Sequence, residues 1–358
     1  MIKRLISILL VNLAVFLIGV IILECIFGNW WGQNPLIRFN LPRNVRIFVP
    51  VHYEYSHRDS VIFYKRDKYG FRGEYPDTGS IDILTVGGST TAQRFVNEGK
   101  TWQDVLKRLF KEEGKNIYIA NAGINGQSVY GHIRAFQIWF PCVPRLKPKY
   151  IIAYIGINET EIPPDYYNDV LSDNIAFKGK IRQSSALWYV YRSFKGIYLK
   201  TQLETLEWDY PAFGTFEWTI PASLDPAEKD EAQRIVDAYD RRLRLLIHKI
   251  REWGSIPILV TQTTPTYKIV DGLPLGYRYR SVDDNEELGS TGKDLEYKLY
   301  RINETTVSVS KELGVICFDL AKELQLEIKD CYDMMHTNED GSERIGAYLY
   351  QKMKGLPR

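Results

Sequence analysis

Four short stretches carry residue types that do chemistry, and they fall in a set order along the 358-residue chain. Gly87-Gly88-Ser89 closes an apolar run, and NAGINGQS at 121–128 holds Gly123 and Gly126. Gly156-Ile157-Asn158 follows, and Asp333-Met334-Met335-His336 lies near the C-terminus. A serine hydroxyl is a weak nucleophile and needs a base to take its proton. His336 is such a base, and Asp333 can hold its imidazole in the right tautomer and stabilise the charged form. An attacked carbonyl develops a negative oxygen that preorganised donors must meet, each worth roughly 3 kcal/mol. The backbone N–H of Ser89, the backbone N–H of Gly126 and the side-chain amide of Asn158 are the candidate donors. Taken singly, each has a plainer use: Ser89 or Thr90 can cap a helix, and Gly126 and Asn158 can shape turns.

Elements of the right kind stand where these residues need positioning. Apolar runs at 81–86, 117–121, 150–155, 256–261 and 315–319 read as strands. Helical patterns lie between and after them, at 101–113, 128–140, 226–253, 293–313 and about 340–354. Apolar strands alternating with amphipathic helices predict an α/β fold with a parallel sheet covered on both faces. In such a sheet the C-terminal strand ends share one edge, which is where all four stretches fall. Within 226–253, Ile235, Tyr239, Leu243, Leu246 and Ile250 form a stripe at helical spacing and are expected in the core. Two stretches interrupt the pattern as insertions, about 160–225 and 264–292, and both read as irregular.

Composition excludes some partners. Lys+Arg 46 against Asp+Glu 44 leaves a net charge of +2, which offers no basic field for nucleic acid. Cys25, Cys142, Cys317 and Cys331 form no CxxC pair, which argues against a zinc site; the serine chemistry itself needs no metal or organic cofactor. Cys317 and Cys331 could pair outside the cytoplasm, or Cys317 could be a buried strand residue; no disulfide is predicted. His52, His57, His132 and His248 belong to no motif and are assigned no function. Asn158-Glu159-Thr160 and Asn303-Glu304-Thr305 match the glycosylation sequon; at Asn158 the match is read as chance, because a glycan would block the site.

ISILLVNLAVFLIGVIIL at 6–23 is almost wholly apolar. At about 1.5 Å per residue it nearly spans a bilayer core of roughly 30 Å, and extension to Phe27 completes the crossing. Lys3 and Arg4 precede it, Trp30 and Trp31 follow it, and no small-residue cleavage site succeeds it. Residues 1–27 are therefore expected to be an uncleaved signal anchor, with the lipid bilayer as a partner. The charges before it favour a cytoplasmic N-terminus and a periplasmic or extracellular catalytic domain. Residues 28–76 read as a membrane-proximal segment, which includes the turn-rich KYGFRGEYP at 68–76, and 77–358 as the main domain.

The order GGS, NAGING, GIN and DMMH resembles that of the SGNH hydrolases, the GDSL-type esterase and lipase superfamily, over about residues 80–352. The resemblance implies a three-layer α/β/α sandwich with a flavodoxin-like parallel sheet. It also implies Ser89, Asp333 and His336 as catalytic triad and Ser89, Gly126 and Asn158 as oxyanion hole. Its usual Gly-Asp-Ser is Gly-Gly-Ser here. Its usual glycine four residues after the serine is Gln93, which is expected to reshape the pocket. The acid that often follows the third-block asparagine is Glu159. The implied activity is ester hydrolysis through an acyl-enzyme; the membrane location and the aromatic-rich insertions point to short acyl groups, acetyl by expectation, on a cell-envelope carbohydrate. The alternatives are an O-acyltransferase on an envelope glycan, or a non-catalytic protein that binds or assembles envelope polysaccharide.

Overall fold

The apolar N-terminal run is one unbroken helix, α1 (Ile2–Phe27). Its window Ile6–Phe27 has mean hydropathy 3.0 and none of it is buried, so it is long and apolar enough to cross a membrane. The computed structural model describes residues 2–28, 30–31, 41–50, 59–162, 184–188, 190–191, 194, 216–219, 226–271, 273–279, 291–333 and 335–357. The chain divides into two compact units: Met1–Asn40 with Tyr167–Asp209, and Leu41–Tyr166 with Tyr210–Arg358.

The second unit opens with an antiparallel pair, β1 (Val45–Pro50) and β2 (Val61–Arg66). Alternate residues of β2, namely Ile62, Tyr64 and Arg66, are buried. Both strands fall within 28–76. Next come β3 (Ile83–Gly87), the one-turn helix α2 (Ser89–Ala92) and α3 (Trp102–Glu112). α3 starts where it does because Thr101 and Asp104 form a reciprocal capping box. Then follow β4 (Ile119–Asn121), α4 (Val129–Ile138) and β5 (Tyr150–Tyr154). The insertion contributes β6 (Phe216–Thr219). After it come α5 (Pro226–Glu252) and β7 (Ile256–Val260).

A second insertion holds β8 (Tyr267–Val270) and β9 (Leu273–Tyr279). The chain ends with α6 (Thr291–Leu313), β10 (Ile316–Phe318), the short α7 (Leu320–Glu323) and α8 (Glu339–Met353).

The central sheet has the order β10-β7-β5-β3-β4, and every neighbouring pair is parallel. Counted along the chain within this sheet, that is 2-1-3-4-5, the flavodoxin-like doubly wound order, whose chain reversal lies between β3 and β5. Trp102, Leu106 and Phe110 of α3 and Ile345, Leu349 and Met353 of α8 pack on Ile83, Ile152 and Ile258 of the sheet. Helices α4, α5 and α6 pack together and cover the opposite face. The predicted α5 stripe is buried throughout, from Ile235 to Ile250. The fold is thus the three-layer α/β/α sandwich expected.

The insertions depart from expectation. β6, β9 and β8 form a separate antiparallel sheet, so 264–292 is not irregular throughout. Pro274 and Gly276 inside β9 hide the strand pattern. Most of 160–225 lies outside the described residues, as do Pro163, Pro164 and most of the aromatic stretch 207–218.

Candidate active site

β3 is buried along its whole length and ends at Gly87. Gly88 is the N-cap of α2 and carries no side chain to close it. Ser89 is therefore the first helical residue and not the cap, and its hydroxyl is directed elsewhere. His336 Nε2 lies 2.6 Å from Ser89 Oγ. His336 Nδ1 lies 2.6 Å from Asp333 Oδ2. The other carboxylate oxygen, Oδ1, accepts from the backbone N–H of Met335 at 2.8 Å and of His336 at 2.5 Å. One oxygen thus holds the loop and the other faces the imidazole. With the ring proton on Nδ1, Nε2 is free to accept from the serine. The Tyr332 ring stacks on the imidazole, with centroids 5.5 Å apart and planes within 6°.

The loop around His336 is fixed by the helix that follows. Asn338 caps α8 by accepting from the N–H groups of Asp340 and Gly341 at 3.0 and 3.1 Å. Cys331, at the start of the loop, is buried. Burial first, and then the charges of Asp333 and Asp330, push its thiol well above the ordinary range, so it stays protonated and is no nucleophile. Cys317 and Cys331 both carry free thiols.

The three candidate donors are the N–H groups of Ser89 and Gly126 and the side-chain amide of Asn158. Among the described residues, neither the Ser89 nor the Gly126 N–H is taken by a backbone acceptor. Gly126 adopts φ +69 and faces open space, a conformation and an approach that suit glycine. Asn158 Nδ2 donates one hydrogen to the Gln127 carbonyl at 3.0 Å, which orients the amide and leaves its second hydrogen available. The amide lies directly over Gly88, where an added Cβ would stand 2.1 Å from Asn158 Nδ2. A side chain at position 88 would therefore press on the Asn158 amide.

Glu159 anchors the same turn. It is buried and accepts from the Val129 N–H at 2.6 Å and from Arg242 at 2.5 Å, which ties Asn158 to α4 and α5.

Three supports, Gln93, Arg72 and Arg66, show their roles only in the structure. Gln93 does not reshape a pocket: it is buried at 2% exposure, with φ 47. Its amide donates to Thr337 Oγ1 at 3.0 Å and Ser342 Oγ at 2.6 Å, and its carbonyl accepts from the Trp102 N–H at 2.8 Å. The left-handed backbone turns the side chain inward, so it joins the Ser89 turn to the residues after His336. Arg72, in the turn-rich 68–76 stretch, is also buried and donates to the carbonyls of Ala92, Gln93 and Val96. Arg66 donates to Gly123 O, in the second glycine loop. The one clue was the departure at position 93 itself.

The remaining histidines are elsewhere. His132 is buried in α4, and burial pushes its imidazole down to about 3. His248 lies on the surface of α5, 3.5 Å from Glu252. His52 and His57 lie outside the described residues. The Asn303 side chain is buried and bonded to the backbone of Gln262, so that sequon is closed to modification in the folded protein. Among the described residues no three His, Cys, Asp or Glu side chains gather to hold a metal ion.

No protein-family model matches the chain, and no curated protein matches it. Among solved structures it is similar to a member of the lipolytic protein G-D-S-L family from Veillonella parvula, at 14% identity and TM-score 0.40, over 77% of this chain and 100% of that one. It is also similar to an acetylxylan esterase from Geobacillus stearothermophilus, at 14% identity and TM-score 0.42, over 77% and 94% of the two chains.

Proposed function

We propose that the chain is a membrane-anchored serine esterase of the SGNH type. The observation that carries this is the continuous relay Ser89 Oγ–His336 Nε2–Asp333, each link 2.6 Å long, which joins Ser89 to a histidine 247 residues further along the chain. In the reaction, Ser89 Oγ attacks the acyl carbonyl while His336 Nε2 takes the hydroxyl proton. Asp333 stabilises the imidazolium. The oxyanion meets the N–H groups of Ser89 and Gly126 and the Asn158 amide. His336 then gives its proton to the leaving alcohol oxygen, and the acyl group remains on Ser89. Water, deprotonated by His336, attacks this ester and releases the acid.

The acyl group is short, acetyl by preference, and it is removed from a carbohydrate of the cell envelope. An anchor helix and aromatic-rich insertions support that substrate class. Lys3 and Arg4 place the N-terminus in the cytoplasm and the site on the periplasmic or outer side.

The test uses the full chain in detergent with p-nitrophenyl esters of increasing chain length. Acetate is hydrolysed fastest, and Ser89→Ala lowers kcat by on the order of 10⁶-fold. Equal rates in the two proteins would remove Ser89 as nucleophile. Acetyl transfer to an added glycan in excess of acetate release would instead identify an O-acyltransferase.

A further inference from the structure

Glu24 is an acid in the last turn of an otherwise apolar span, and its carboxylate is fully used. Oε1 accepts from Ser185 Oγ at 2.6 Å and from the Leu187 N–H at 3.1 Å. Oε2 accepts from the Ala186 N–H at 2.9 Å and from Trp30 Nε1 at 2.8 Å. Ser185 Oγ itself accepts from the Trp188 N–H at 3.0 Å. Three N–H groups that open a helix are therefore satisfied, two of them by a carboxylate from another helix, at the end where negative charge is favoured.

The capped stretch is helical at Ala186–Trp188, Val190, Tyr191 and Phe194. Leu187, Val190, Tyr191 and Phe194 follow the i, i+3, i+4, i+7 spacing that lines one helix face. They are 45%, 48%, 55% and 69% exposed. Trp30 and Trp31, just past α1, are exposed as well. Arg182, Arg192 and Lys195 flank the stripe in sequence.

Glu24 stands three residues before the end of the apolar window at Phe27. At about 1.5 Å per residue, the capped stretch begins within about 5 Å of the hydrocarbon boundary. An apolar face held at that depth has lipid as its neighbour. We propose that the helical residues Ala186–Trp188, Val190, Tyr191 and Phe194 belong to an interfacial membrane element. Its Leu187–Val190–Tyr191–Phe194 face sits at the headgroup–acyl boundary, and the Glu24 carboxylate straps it to the anchor. The element fits the pattern of helices that lie in the bilayer surface, with an apolar face and basic flanks. The inference rests on α1 crossing the membrane.

The test places an environment-sensitive NBD fluorophore on single cysteines, Phe194→Cys or Leu13→Cys, in the full chain. Cys25, Cys142 and Cys317 are serine in this background, and the chain without an added cysteine is the blank. The protein is reconstituted at one chain per nanodisc of phosphatidylcholine and phosphatidylglycerol, with or without brominated acyl chains. The probe at 194 is expected to emit to the blue and to lose most of its emission to bromolipid. Glu24→Leu restores a water-like spectrum at 194 and leaves position 13 quenched. Quenching at 13 with a water-like spectrum at 194 would overturn the interfacial element while the anchor stands. Blue emission at 194 without bromolipid quenching would mean that protein covers the face, which also overturns it. Quenching at neither position would overturn the anchor reading itself.

Discussion

The proposed oxyanion site draws on one side chain and two backbone groups, and they answer differently to substitution. Asn158 holds its amide over Gly88 through the bond to Gln127 O. Removing one such donor costs on the order of 10²–10³ in kcat. Asn158→Ala is therefore expected to lower kcat of p-nitrophenyl acetate hydrolysis by that factor, with KM little changed, because the donor acts on charge formed only in the transition state. A matching rise in KM with kcat intact would show that Asn158 binds ground state instead. The Ser89 and Gly126 N–H groups offer no such test: only proline removes a backbone N–H, and it would take the Ser89 hydroxyl with it and cannot adopt the positive φ of Gly126.

Elements transmit the site's geometry through buried polar residues. Gln93 bridges the turn of α2, the first turn of α3 and the approach to α8. Gln93→Ala strips the Trp102 N–H of its acceptor, and an unsatisfied buried donor costs about 1–3 kcal/mol. Urea melts in detergent should show that loss, and kcat should fall with it, because the Ser89 turn and the His336 loop lose their shared tie. Unchanged stability would mean that the bridge is not formed. His132 in α4 supplies a pH signature. Its folded pKa of about 3 lies below the unfolded value of about 6.5, so the unfolded chain binds more protons between those values. Its contribution is complete above the unfolded value and declines as pH falls below it. From pH 7 to 5 the loss is about 2 kcal/mol. His132→Leu should remove that share of the wild-type decline; equal declines in the two proteins would exclude it.

At the scale of the whole molecule, the chain carries both a five-stranded parallel sheet and a long apolar helix that is unburied among the described residues. None of the Ile6–Phe27 window is buried, and exposing so much apolar surface to water is unfavourable by about 25 cal/mol per Å². The chain is expected in the membrane fraction after carbonate washing, and deletion of residues 1–27 should release it. With Lys3 and Arg4 inside, protease added to intact spheroplasts should digest the main domain. Full protection would reverse the orientation.

Local pattern alone determined a good deal of this protein. The five parallel strands, the α5 stripe from Ile235 to Ile250 and the apolar α1 all follow from periodicity and length, which act between near neighbours. The order of GGS, NAGING, GIN and DMMH was enough to nominate Ser89, Gly126, Asn158, Asp333 and His336. Tertiary structure alone decided how they meet. Ser89 and His336 become neighbours only because β3 and the loop before α8 end on one edge of the sheet. Gly88 is explained only by an amide from another strand end. Gln93, Arg72 and Glu24 each bond to groups far away in the chain. Such bonds leave no period in the sequence, because a single buried polar side chain finds its partners only when separate elements have packed.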